Sequence, residues 1–242
     1  MGVVVRPTER FSIYANRVEG LAQGPTAPLN ANTLNAGEVF APFRSVQYEI
    51  GAKIELRGLT GTLAMYQLTQ PSAFSTPTPT PTNPSALTFV VDGEQRNRGL
   101  ELSLNGEPTD WLRVIGGLAI NDAKLTRTLN GNNDGRTAIG VPDFQANLGV
   151  EVVPPFLEAA TATARVVHTG GQFLDVGNTQ KVPGWTRLDL GIRYVLVADT
   201  HPITLRLSAE NVTNEAYWAS AFGGYLLQGQ PRTIRSSVTF EF

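Results

Sequence analysis

Ten amphipathic segments divide this chain, and the connections between them alternate strictly between short and long. The segments are 11–18, 48–56, 59–70, 98–105, 111–124, 144–152, 161–168, 186–196, 203–211 and 232–242. Residues 2–6 read as the tail of an eleventh. Short connections fall at 7–10, 57–59, 107–110, 153–156 and 197–201; long polar ones at 19–44, 70–87, 125–140, 169–185 and 213–231. A soluble sheet has no reason to gather all its tight turns at one end. A transmembrane β-barrel does, with short periplasmic turns and long extracellular loops.

The segments read as strands because apolar residues recur with period two, most clearly in 186–196, more weakly in 111–124, 144–152 and 161–168, and with a mixed pattern in 11–18 and 59–70. Over 186–196, Leu188, Leu190, Ile192, Tyr194 and Leu196 share one face, while Arg187, Asp189, Gly191 and Arg193 share the other. In 48–56, Tyr48, Ile50, Ala52, Ile54 and Leu56 oppose Glu49, Gly51, Lys53 and Glu55. Ile203, Leu205, Leu207 and Ala209 oppose Thr204, Arg206, Ser208 and Glu210. Most runs have the roughly 9–11 residues that a tilted strand needs to cross a bilayer.

Alternation alone does not say which face meets water. Besides the turn asymmetry, two features put the apolar face outward. Val238, Phe240 and Phe242 share a face and end the chain on an aromatic, a terminus that resembles the signal recognised by the barrel-assembly machinery. Tyr194, Phe240 and Phe242 fall at the short-turn end and Tyr48 at the long-loop end, as two interfacial girdles would. Outer-membrane lipid is then a partner of the apolar face. Arg187, Asp189, Arg193, Glu101, Lys53, Glu55, Arg206, Glu210, Arg235 and Glu241 point into the lumen. Facing lipid instead, each Arg or Lys would cost roughly 2–4 kcal/mol near the midplane. The expected fold is all-β: an antiparallel up-and-down meander of about 10–11 strands forming part of a transmembrane barrel.

Composition removes other classes. A net charge of −2 offers nothing to nucleic acid, and the absence of cysteine excludes disulfides and thiol chemistry. No stretch approaches the roughly 20 apolar residues of a membrane helix. The start, Met1-Gly-Val-Val-Val-Arg6, is no signal peptide, which marks the chain as a fragment or a processed piece. Residues 130–135 begin like a calcium loop, but its twelfth position is Val141 where a bidentate Glu is needed, so they read as a Gly/Asn turn. The Thr-Pro run 76–82 reads as a surface spacer. His168 is the sole plausible general base, and no flanking motif supports a hydrolase. No enzyme activity and no metal site are expected.

Several motifs, in order, carry a family resemblance. Gly93-Glu-Gln-Arg-Asn-Arg-Gly-Leu-Glu-Leu-Ser-Leu104, Trp111-Leu-Arg-Val-Ile-Gly-Gly-Leu-Ala119, Val182-Pro-Gly-Trp-Thr-Arg-Leu-Asp-Leu-Gly-Ile-Arg-Tyr194 and Glu210-Asn-Val-Thr-Asn-Glu-Ala-Tyr-Trp218 are four of them. Ser12-Ile-Tyr-Ala15, Tyr48-Glu-Ile-Gly-Ala-Lys53 and the ending from Gly223 fit the same pattern. Together they resemble the C-terminal part of the barrel of TonB-dependent siderophore receptors. The resemblance implies a 22-stranded barrel in the bacterial outer membrane, with an N-terminal plug and a TonB-contacting segment. Residues 1–242 would be the C-terminal portion of that barrel, with plug and TonB box absent. It implies uptake of a ferric siderophore driven through TonB, no cofactor bound by the chain itself, and no transport by this piece alone. Phe173, Tyr217, Trp218, Phe222 and Tyr225, on or beside the long loops, are the candidate siderophore contacts. The competing reading is a small outer-membrane barrel that serves as a passive pore or surface-binding module; hydrogen bonds between its first and last strands would favour it.

Overall fold

The structure, a computed structural model, describes residues 1–198, 201–221 and 225–241. Fifteen strands and one short 3-10 turn, Leu129–Gly131, account for the regular structure among them. The main sheet contains β1 (Gly2–Thr8), β2 (Phe11–Ala22), β3 (Phe43–Leu56), β4 (Leu59–Pro77), β5 (Leu87–Thr109) and β6 (Leu112–Arg127). It continues with β7 (Phe144–Val152), β8 (Ala160–Thr169), β11 (Trp185–Ala198), β12 (His201–Glu210) and β15 (Thr233–Phe240). Two small hairpins, β9 (Gln172–Phe173) with β10 (Lys181–Val182) and β13 (Trp218–Ser220) with β14 (Leu227–Gln228), lie in the last two long connections.

The large sheet has eleven strands in the order β1-β2-β3-β4-β5-β6-β7-β8-β11-β12-β15, so each main strand pairs with its neighbour in sequence. Every pairing is antiparallel. β1 and β15 stand at opposite ends of that order, and among the described residues they are not paired with each other. The hydrogen bonding expected of a small closed barrel is therefore not found.

Register turns the sequence alternation into two continuous faces. Tyr194 lies opposite Leu205 and Leu205 opposite Val238; Leu196, Ile203 and Phe240 form the next row. Leu63, Leu102 and Leu118 make a row across β4, β5 and β6. On the other face one row runs Lys53, Thr62, Ser103, Gly117, Asn147, Val167, Arg187. Among the described residues nothing covers the apolar face: Ile50, Leu190, Ile192 and Leu207 are each about half exposed. Among the described residues the buried apolar side chains are seven alanines and one valine. A water-soluble sheet would hide the large side chains; this one presents them to its surroundings.

The short connections are tight. Arg57 and Gly58 both have positive φ, 43° and 79°, between the paired residues Leu56 and Leu59. That is the geometry of a two-residue type I′ hairpin, whose twist matches the strands it joins. A side chain on Gly58 would also meet the Glu107 carbonyl oxygen at 2.2 Å.

One expected boundary shifts substantially. The polar stretch 70–87 reads as a long connection, with a proline-rich spacer at 76–82, yet β4 runs on to Pro77 and β5 begins at Leu87. β3 stops pairing with β4 at Thr69, so Pro71 and Pro77 lie on a free strand edge, where a missing N–H costs no ladder bond. The Thr-Pro run is thus part strand and part hairpin tip, with Thr78 N donating to Ala86 O at 2.8 Å.

Candidate functional site

All five long connections leave the same end of the sheet, and most are laced to a neighbour. The first meets the second where Leu34 N donates to Leu87 O at 2.8 Å and Asn35 exchanges two 2.9 Å bonds with the Phe89 backbone. Phe40 packs edge-on against Phe89 with ring centroids 5.7 Å apart. The third meets the fourth through Asn178, which accepts from Thr137 N at 2.7 Å and donates to Thr137 O at 2.9 Å. The fourth meets the fifth where Ala221 N donates to the buried Gln172 Oε1 at 3.2 Å. The result is a rim with shared backbone hydrogen bonds.

The fourth loop is held by one carboxylate. Asp175 accepts from Gln180 N at 2.7 Å and from Thr179 N at 2.9 Å, and Thr179 Oγ1 donates to its other oxygen at 3.1 Å. The Gln180 backbone bond, followed by those from Thr179, holds its pKa below the ordinary value of 3.8.

Asn211 anchors the fifth loop. It is fully buried, with φ of 51°, a conformation Asn tolerates better than most residues. Its Nδ2 donates to Glu215 O and Gln230 O, both at 2.9 Å, and its Oδ1 accepts from Glu215 N at 2.9 Å. Its own N–H donates to Asp189 Oδ1 at 2.9 Å, and Arg187 meets Asp189 Oδ2 at the same distance. The Arg187–Asp189 pair is the most shielded ion pair among the described residues, with side chains 19% and 15% exposed.

The expected contact residues separate into different environments. Tyr217 stacks on Trp185, ring centroids 4.3 Å apart at 32°, and lies over Gly229, where an added Cβ would come within 2.5 Å of the ring. Arg187 lies beside it. Trp218 opens β13 and is 41% exposed, and Tyr225 is 82% exposed. Phe173 sits one residue from Gln172, with Lys181 Nζ 5.3 Å from its ring centroid. The Gln172–Ala221 bond therefore joins the Phe173 loop to the Trp218 hairpin, while Tyr217 packs inward on the sheet. Phe222 lies outside the described residues, as does Phe242 of the chain terminus. Val238 and Phe240 share the apolar face, opposite Leu205 and Ile203.

The expectation overlooked Trp185, Asn211 and the Arg187–Asp189 pair as parts of this end. Trp185 Nε1 and Arg187 Nε are buried without an acceptor among the described residues, leaving two spare donors beside Tyr217. All four residues lie inside two of the motifs that carry the family resemblance, Val182–Tyr194 and Glu210–Trp218, but nothing in those motifs marks them individually.

Comparison with known proteins gives one answer. Residues 1–212 match the family model described as TonB dependent receptor-like, beta-barrel. The ferrichrome receptor FcuA of Yersinia enterocolitica is 39% identical over the whole chain, which spans 32% of that protein. The ferrichrome outer membrane transporter/phage receptor of Escherichia coli is 29% identical over 85% of the chain, which spans 27% of it. The crystal structure of BauA, the ferric preacinetobactin receptor of Acinetobacter baumannii, superposes with a TM-score of 0.86 at 40% identity, covering all of this chain and 36% of that one. The chain thus spans about a third of the length of these relatives. With the family model matched over most of its residues, this chain belongs to the β-barrel of the TonB-dependent receptor family of the outer membrane.

Proposed function

We propose that these strands form part of the barrel wall of an outer-membrane receptor that imports a ferric siderophore, with energy supplied through TonB by segments outside the 242 residues. The observation that carries this reading is 39–40% identity, over the full chain, to a ferrichrome receptor and a ferric preacinetobactin receptor. The open eleven-stranded sheet agrees with a piece of wall. Both of its edge strands run toward the short-turn end, because an odd number of antiparallel strands separates like directions. Closing the wall with antiparallel pairs alone requires an odd number of further strands. In a 22-stranded wall the remainder is odd, which satisfies that condition.

On this reading Phe173, Tyr217, Trp218, Phe222 and Tyr225 supply stacking surface toward the siderophore, and the lumen arginines attract an anionic chelate. Val238, Phe240 and Phe242 present the terminal strand to the assembly machinery. The test is uptake of iron-55 by iron-starved cells expressing the receptor that carries this segment, supplied with ferrichrome or with ferric preacinetobactin. Uptake of one of them, lost on deleting tonB, is the expected result. Binding and uptake of neither would refute the siderophore assignment.

A further inference from the structure

On the polar face two arginines stand directly opposite each other: Arg193 of β11 pairs in register with Arg206 of β12. Like charges in opposed positions are destabilising, because their Cβ atoms lie only about 5 Å apart. Three arginines nearby are matched to carboxylates. Arg187 meets Asp189 at 2.9 Å, Arg235 meets Glu210 at 3.0 Å, and Arg113 lies between Glu107 and Glu151. Arg193 and Arg206 have only hydroxyls: Thr161 Oγ1 at 3.1 Å and Thr239 Oγ1 at 3.3 Å. Among the described residues neither reaches a carboxylate. Each guanidinium presents five N–H donors, so most of theirs are unused.

The two arginines share a hollow of about 430 Å³ with Thr163, Ser208, Ser237 and two further charged residues, Glu151 and Arg235. Gly191 leaves its floor open: a Cβ there would lie 2.6 Å from Thr163 Oγ1. The hollow therefore has two adjacent guanidinium forks, hydroxyls around them, and a surplus of positive charge, since its one carboxylate, Glu151, pairs with Arg113 and its third arginine, Arg235, with Glu210. Guanidinium forks match the two oxygens of a carboxylate. We propose that Arg193 and Arg206 form a carboxylate-binding site on the polar wall, toward its short-turn end. The carboxylate relieves the repulsion between the two arginines. A free solute and an acidic side chain from another segment of the receptor offer the same two oxygens.

The test uses the full receptor that carries this segment, purified in detergent, with malonate titrated against chloride at constant ionic strength. Thermal midpoint and calorimetry are the readouts, and far-UV circular dichroism checks folding. Malonate should raise the midpoint saturably, Arg206→Gln should weaken its binding about tenfold, a loss equivalent to about 1.4 kcal/mol, and the Arg193→Gln/Arg206→Gln pair should abolish it. Arg206→Glu, which places a tethered carboxylate opposite Arg193, should raise the midpoint without malonate and remove the malonate response. A native receptor indifferent to malonate whose midpoint the double variant leaves unchanged, or a double variant that responds to malonate as the native receptor does, would overturn the site. The double variant also identifies the source: loss of the malonate response alone means a free solute, and a lowered midpoint without malonate means a tethered acid.

Discussion

At the scale of single residues, the long-loop end depends on a few polar side chains that bond backbone. Asn211 has the largest effect, since its amide satisfies two carbonyls and one N–H of the fifth loop at once. Asn211→Ala leaves those groups unpaired in a site with no solvent access, at a cost of about 3 kcal/mol. The expected outcome is a lower midpoint in urea, with protease cleavage appearing first within 213–231. Asp175 gives a pH dependence. Its pKa is depressed in the folded loop, so its stabilising effect is complete above the ordinary value of 3.8 and is lost as pH falls through the lower folded value. Proteolysis after Lys181 should therefore stay flat from neutral pH to about pH 5 and rise only in stronger acid, while Asp175→Asn should raise it at every pH. These roles were hard to foresee. Asn211 and Asp175 are ordinary polar residues in the sequence, and their importance comes from backbone groups that only the folded loops bring together. The aromatic rings were easier to notice, but their packing was not: Tyr217 rests on Trp185, a residue that its position in the sequence does not single out.

At the scale of the strand, period-two alternation was legible because it is local. The run 186–196 became Trp185–Ala198 with the same face assignment, and the charged residues expected to share a face do so. Strand ends were less legible, since they depend on what lies alongside. β4 and β5 run 19 and 23 residues because the two continue as a ribbon past their outer neighbours, which no propensity within 70–87 announces. Ile115 is another departure: it lies on the polar face, opposite Asn105 and Gly149, and is 64% exposed. The two faces make a paired prediction. Ile192→Arg, near the middle of β11 on the apolar face, should cost roughly 2–4 kcal/mol on folding into lipid vesicles. Ser103→Lys, on the polar face, should change folding by less than about 0.5 kcal/mol, as a surface substitution does. Urea titration of the vesicle-folded receptor that carries this segment measures both.

At the scale of the whole molecule, the architecture follows from what the sheet leaves exposed. Half-exposed leucines and isoleucines are harmful in water and favourable against hydrocarbon, while the polar face carries ion pairs of both signs that a wet lumen can hydrate. The loops link to one another at one end, and tight turns close the other. The central claim is that the apolar face meets lipid and the charged face meets water. A chain without native cysteine allows a direct measurement. Single cysteines placed at each position from 187 to 193, labelled with a fluorophore after folding into vesicles, are quenched either by a lipid-borne nitroxide or by aqueous iodide. The account predicts strict alternation: positions 188, 190 and 192 respond to the nitroxide, and 187, 189, 191 and 193 to iodide. Iodide quenching at 190 and 192, with nitroxide quenching at 189 and 193, would contradict it.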